Sequence, residues 1–241
     1  MADVSVRISP LRRFLAYCLA GGVIGWAWSH VRHGGGPSAG SHSLREFVLS
    51  RAQASFPPGI LISIALLCLF SLYWEAAAGR AAETKSQESR WSRSIHLMLV
   101  SAAQLLLLFP VPGLRARFLP DATGLVVAGI MLEILFLVLA VWARQLLGRN
   151  WSGAIAVKLD QQLIRSGPYR FVRHPIYSAL LGAYASIAVI SGELHALLGL
   201  LLVCVAYWRK IQLEEQVLNT LFGPVYKEYC SAVRAVIPRV L

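Results

Sequence analysis

The 241-residue chain is short of acid. It carries 12 Asp and Glu against 23 Lys and Arg, a formal net charge of +11, and only 15 % of its residues are charged at all. Hydrophobic residues make up 56 % and mean hydropathy is +0.58, which excludes an ordinary soluble domain and points to a membrane protein. In such a chain, Lys and Arg gather in cytoplasmic loops against anionic lipid, so the positive balance calls for no nucleic acid partner. Cysteine is scarce as well. Cys18, Cys68, Cys204 and Cys230 form no C-x-x-C pair and three of them lie in apolar segments, which excludes a disulfide framework and a zinc site; no metal is expected. The glycine-rich and histidine motifs of soluble enzymes are missing too: there is no G-x-G-x-x-G, P-loop, H-E-x-x-H or G-x-S-x-G. No internal repeat is present.

What the chain does have is six apolar segments, predicting an all-α polytopic membrane protein of about six transmembrane helices with a cytoplasmic C-terminal helical cap. The segments are Leu11 to Trp28, Ile60 to Ala78, Ile95 to Phe109, Thr123 to Ala143, Ile176 to Ser191 and Leu194 to Trp208. The first ends in tryptophans and lacks an A-x-A cleavage site, so it reads as an anchor rather than a signal peptide. The loop from Gly34 to Ser41 is flexible, and His30, His33 and His42 around it lack helical spacing and read as solvated loop residues. Arg80 to Arg93 reads as a polar loop and Arg144 to Arg173 as a long basic one. The last two segments are short for a span, so they must thin the bilayer, extend into polar flanks or lean on other helices. From Ile211 the tail is amphipathic; a helix should stop at Gly223 and a short one start at Pro224. The chain divides at residue 143 into an N-terminal four-helix membrane region (1–143) and a C-terminal core (144–241).

Charge counting orients these segments. With the N-terminus in the cytoplasm and six crossings, 18 of the 23 basic residues lie inside. Only Arg32, Arg45, Arg51, Arg115 and Arg117 lie outside. That bias predicts both termini cytoplasmic. It also brings the loop ending in His174 and the tail carrying Glu214 to the same face.

Two stretches there hold the residues able to do chemistry. Arg165 to Tyr177 (RSGPYRFVRHPIY) turns at Gly167-Pro168 and enters a helix at Pro175, a residue suited to a first turn. Arg209 to Glu215 (RKIQLEE) lies at the far end of the next apolar helix. Each feature has a plain reading. Arg173-His174 suits positive-inside flanking charge, Tyr169 and Tyr177 suit an interfacial belt, and Lys210 and Glu214, four apart, suit an ion pair. Carboxylates at a helix C-terminus oppose its dipole, which makes Glu214-Glu215 the harder pair to explain by topology alone. Mid-helix, Glu133 is an expensive intramembrane carboxylate. It either contacts a lipid substrate or steadies the bundle, and Gln104 is its partner by depth.

Taken in order, LGRNWS (147–152), LIRSGPY (163–169), RHPIY (173–177), LEE (213–215) and FGPVYKEY (222–229) resemble the isoprenylcysteine carboxyl methyltransferase family, related in pattern to membrane phospholipid N-methyltransferases. The resemblance covers roughly residues 146–237. It implies S-adenosylmethionine as methyl donor at the cytoplasmic face. By residue, it implies cofactor contacts from Gln161, Gln162, Leu163, Ile164, Tyr169, His174, Pro175, Ile176, Tyr177 and Glu214. A catalytic, acceptor-facing group of Lys210, Arg209 and Arg173 is expected beside them. Eukaryotic members carry Arg where this chain has Lys210, and lysine cannot make the bidentate fork to a carboxylate. The implied activity is methylation of the carboxylate of a lipidated, prenylcysteine-like substrate. Methylation of a phospholipid amine is the alternative, and a transporter or a non-enzymatic scaffold the readings from other classes. Partners reduce to a lipid or lipidated substrate, with oligomeric state open.

Overall fold

The computed structural model describes residues 57–78, 84–87, 89–151, 155–158 and 161–238. The expected segment from Leu11 to Trp28, the Gly34 to Ser41 loop with its histidines, and Cys18 lie outside the described residues. Six α-helices are present: α1 (Pro58–Ala78), α2 (Arg90–Leu108), α3 (Thr123–Leu147), α4 (Pro175–Ser191), α5 (Leu194–Phe222) and α6 (Pro224–Ala232). Four of them, α1, α2, α3 and α5, are long and apolar enough to cross a membrane. The protein is a polytopic, all-α membrane protein. Its described strands form one short antiparallel ribbon, β1 (Thr84–Gln87) with β2 (Ala156–Lys158), joining two stretches that read in sequence as loops.

The helix limits follow local chemistry. Pro58 opens α1, where a missing N–H costs nothing. Ser89 caps α2, its hydroxyl accepting from the Ser92 amide at 3.2 Å, so this helix begins ahead of the expected Ile95. Gly192 ends α4 at φ +65°, and Gly223 separates α5 from α6 at φ +52°, where the sequence placed the stops. One expectation is corrected. The sixth apolar segment does not finish at Trp208; α5 runs unbroken for 29 residues to Phe222. At 1.5 Å per residue that is about 43 Å, longer than the ~30 Å hydrocarbon core, so its polar end emerges from the bilayer. Helix α4, at 17 residues, is short and is shielded by its neighbours, which bury ten of its side chains.

Packing pairs α3 with α4 and α2 with α5, so one core extends across residue 143. Lipid offers apolar side chains as good an environment as the core does, so association depends on close approach of backbones. Small residues supply it: Ala103, Ala183, Ala196 and Gly199 sit at the contacts, while Met131, Leu135, Leu201 and Val205 point outward. A Cβ at Gly199 would stand 2.8 Å from the Ala103 carbonyl oxygen and 2.9 Å from the Leu107 nitrogen. Glu133 is fully buried in α3 and its partner is Ser63 of α1, whose hydroxyl donates at 2.6 Å. The expected Glu133–Gln104 pair is therefore corrected; Gln104 instead donates to the Tyr184 hydroxyl at 2.9 Å. At the end of the bundle away from His174, Arg115 and His195 both approach Glu193, and the Leu194 amide bonds the Ala116 carbonyl, seating the α2–α3 loop on the α4–α5 turn.

Because Gly199 meets rigid backbone rather than a flexible side chain, Gly199→Leu should separate α2 from α5. The expected cost is about 2–3 kcal/mol, read as a lowered thermal midpoint of the detergent-purified protein. An unchanged midpoint would mean that the contact does not hold the pair together.

Candidate active site

The approach to α4 is built by two turns. Gly167 has φ +59°, a left-handed conformation that favours glycine, and a Cβ there would press on the end of the Leu146 side chain. The following 3-10 turn, Gly167–Arg170, places Tyr169 in the interior, where its hydroxyl donates to the Ala143 carbonyl at 3.3 Å. Burial, then the Glu214 charge, raises its pKa, so it stays a donor. The chain then passes Val172 and enters α4 at Pro175, with His174 as the residue before the helix.

Arg173 and His174 converge on Glu215. The guanidinium donates to Oε1 at 2.6 and 2.9 Å, and His174 Nε2 lies 3.1 Å from the same oxygen. Arg173 Nη1 also donates to the Val233 carbonyl and, at 3.4 Å, to that of Cys230. Backbone bonds from Arg173 N to Arg234 O and from His174 N to Ala235 O draw the C-terminal stretch alongside. Burial would lower the pKa of Arg173, but the Glu215 carboxylate outweighs it and the group is held above its ordinary value. Adjacent on α5, Glu214 points elsewhere: it accepts from the Tyr177 hydroxyl at 2.6 Å. The ring of Tyr177 stacks on His174, with centroids 5.6 Å apart.

A cavity of about 310 Å³ opens beside these groups. Toward the loops it is lined by Gln161, Gln162, Leu163, Ile164 and Tyr169, with Trp151, Tyr226 and Tyr229. His174, Pro175, Ile176, Tyr177, Lys210 and Glu214 line its middle, and Leu67, Phe70, Val100, Gln104 and Tyr184 its bundle end. All ten residues expected around a cofactor thus border one space. So do Lys210, which is 8 % exposed, and Arg173, although the Arg173 side chain is committed to Glu215 and the tail. Arg209 is the exception. Its guanidinium reaches across to Ser92 at the start of α2, bonding the carbonyl at 3.3 Å and the hydroxyl at 3.0 Å, and it does not border the cavity.

Other residues that shape the site carried no assigned role in the sequence. Asn150 Oδ1 accepts from the Gln162 amide at 3.1 Å and pins the 161–164 stretch. Arg165 donates to the Val225 carbonyl at 2.7 Å and lies over the Tyr229 ring, docking α6 under the cavity. Tyr229, its pKa pushed up to about 12 mainly by burial, donates to the Tyr169 carbonyl. Arg144 lies 3.8 Å from the centre of the Trp151 ring. Asn150 and Trp151 belong to the LGRNWS motif, the one available signal; Arg165 and Tyr229 sit in motifs whose contacts span 60 residues and leave no local trace.

The helical bundle encloses an amphipathic cavity, polar toward the loops and apolar toward the helices, which defines the class as a polytopic membrane protein with an internal pocket. Comparison with known proteins makes it specific. Residues 125–225 match the family described as Phospholipid methyltransferase. Two curated relatives, probable protein-S-isoprenylcysteine O-methyltransferases of Oryza sativa subsp. indica and subsp. japonica, are 31 % identical over 94 residues, covering 38 % of this chain and 49 % of each relative. The chain thus spans about half the length of the curated relatives it matches. Both matches support a membrane methyltransferase of the isoprenylcysteine and phospholipid type, in keeping with the resemblance carried by the motifs.

The Glu215 clamp makes a direct prediction. Glu215→Ala leaves Arg173 partly buried without its counter-charge and should destabilise the protein by about 2–3 kcal/mol. Limited proteolysis should cut near residues 233–238 faster than in the parent. An unaltered cleavage rate would show that the tail is held by other contacts.

Proposed function

We propose that this protein is an S-adenosylmethionine-dependent methyltransferase that modifies a lipidated or lipid-like acceptor at the cytoplasmic face of a membrane. The observation that carries the proposal is the single cavity joining the loop 161–164, the start of α4 and the Lys210–Glu214 turn of α5 to the interior of the bundle. Its residues fit the donor. Amides of Gln161 and Gln162, a carboxylate at Glu214 and the aromatic faces of Trp151, Tyr169 and Tyr226 suit a molecule with a polar amino-acid end, a flat base and a cationic centre. The Tyr226 hydroxyl is buried near the Cys230 thiol, Arg173 and Glu215 without a hydrogen-bond partner among the described residues, which leaves a donor for a bound polar atom.

When bound, the donor supplies an electrophilic methyl whose carbon–sulfur bond breaks as the acceptor's lone pair forms the new bond, the bonding electrons staying on sulfur. The protein's part is alignment and exclusion of water. Tyr177 holds Glu214 in place, and the Glu215 clamp holds the start of α4 against α5. Lys210, buried at the cavity wall, meets the acceptor. A carboxylate acceptor of the prenylcysteine kind arrives ionised and needs no base, and Lys210 neutralises it. A second reading, methylation of a phospholipid amine, is favoured by the description of the matching family and by lysine rather than arginine at position 210. There Glu214 would take up the proton that the amine must lose. The cytoplasmic placement rests on the bias of basic residues, with both termini inside.

Binding of S-adenosylhomocysteine to the detergent-purified protein tests the donor. Glu214→Ala should weaken it about ten- to a hundred-fold, the loss of a charge-assisted contact, while the protein still extracts as folded. No binding to the parent would remove the methyltransferase reading.

Lys210 separates the acceptors. Lys210→Ala should leave S-adenosylhomocysteine affinity nearly intact and slow methyl transfer. Lys210→Arg should retain or raise turnover of a prenylcysteine analogue, because the guanidinium can bind both oxygens, and should not help a phosphoethanolamine lipid. Normal turnover by Lys210→Ala on either acceptor would exclude a contact between that side chain and substrate.

A further inference from the structure

The bundle end of the cavity is not purely apolar. Gln104 of α2 donates to the hydroxyl of Tyr184 on α4, and the ring of Tyr207 on α5 stands beside that of Tyr184. All three residues border the cavity. The Tyr207 ring stands 5.3 Å from that of Tyr177 and 6.4 Å from that of Tyr184, so the aromatic series leads from the Glu214 partner into the bundle. The three polar groups hold four hydrogens, two on the amide and one on each hydroxyl. One is used in the bond between Gln104 and Tyr184, and at most one more can be used between the two tyrosines. At least one N–H or O–H therefore remains to be given to something in the cavity, whichever way the amide is turned. Groups of this kind are costly within a membrane interior and are retained where they meet a ligand.

We propose that this cluster recognises an oxygen atom in the body of the methyl acceptor, so that the enzyme selects lipids with a carbonyl, ester or hydroxyl oxygen a fixed distance from the atom methylated. The inference rests on the methyltransferase reading and specifies its substrate. The distance follows from the helix. Tyr184 is seven residues along α4 from Tyr177, which at 1.5 Å per residue places it about 10 Å deeper. Three bonds of an extended chain advance about 3.4 Å, so the oxygen-bearing carbon belongs about nine bonds from the reacting atom. A plain isoprenoid or alkyl chain has no oxygen there. In a diacyl phosphatidylethanolamine the nearer ester carbonyl lies about nine bonds from the amine nitrogen, counted on the same rule; an oxygenated thioether lipid satisfies it equally.

The test uses two matched pairs with the full-length protein. One is S-dodecyl-N-acetylcysteine and its ketone with the carbonyl carbon about nine bonds from the carboxylate oxygen. The other is diacyl phosphatidylethanolamine and its dialkyl ether analogue, which keeps the chain oxygens and lacks the carbonyls. For whichever pair is methylated, kcat/KM for the carbonyl-bearing member should be higher by roughly five- to ten-fold, the worth of one hydrogen bond. Tyr184→Phe, which keeps the ring, and the double variant Gln104→Leu with Tyr184→Phe should bring the ratio close to one. S-adenosylhomocysteine affinity should stay within about two-fold of the parent, which establishes that the variants are folded. Equal rates on both members by the parent, or an undiminished preference in the double variant, would overturn the inference. A parent that binds no S-adenosylhomocysteine and methylates neither pair would instead defeat the methyltransferase reading beneath it.

Discussion

Much of this structure depends on one oxygen of Glu215. It receives Arg173 and His174, from the turn before α4, while Glu215 itself stands on α5. Arg173 then passes the constraint on to the carbonyls of Cys230 and Val233, so that α6 and the tail close over the same point. Three segments far apart in sequence are thereby fixed around the mouth of the cavity. The neighbouring glutamate is left free for a different task, because successive residues on a helix point about 100° apart and cannot share a direction. Glu214 turns to Tyr177 and the cavity, Glu215 to the clamp. A pair of adjacent carboxylates that looks redundant in sequence thus serves one position in holding the fold and one in facing the ligand space.

The sequence disclosed some of this and concealed the rest, for definite reasons. Apolar segments and Gly or Pro punctuation are local signals, and Pro58, Pro175, Gly192 and Gly223 mark helix ends much where they read. The continuity of α5 was hidden by Arg209-Lys210, two charges that look like the end of a span. In the structure they are the level at which a long helix leaves the apolar layer. The ribbon of β1 and β2 is too short and polar to carry a strand period. Long-range pairing was the least legible. Arg173 reads as one of several flanking cations, and only the fold shows its guanidinium committed to Glu215 and the tail; Arg209, expected beside Lys210 but on a neighbouring helix face, is tied to Ser92 on another helix. Depth alone paired Gln104 with Glu133, but depth does not specify azimuth, and each side chain found a different helix.

Those two intramembrane polar groups show how the same cost can serve different ends. Glu133 is sealed off: no surface is left exposed, Ser63 satisfies one oxygen, and neither residue borders the cavity. Through Ser63 it links α3 to α1. Gln104, Tyr184 and Tyr207 form a cluster of similar polarity, but placed on the cavity wall between α2, α4 and α5. A bundle held together by small residues needs no polar adhesive at that level, since Ala103 and Gly199 already bring α2 and α5 into backbone contact nearby. Three converging polar side chains are therefore more than packing requires there. Their position, about two helical turns beyond the Tyr177–Glu214 pair, is what the proposed selection of acceptors rests on: a head group engaged at Lys210 would leave the cluster to meet whatever the chain carries at that depth.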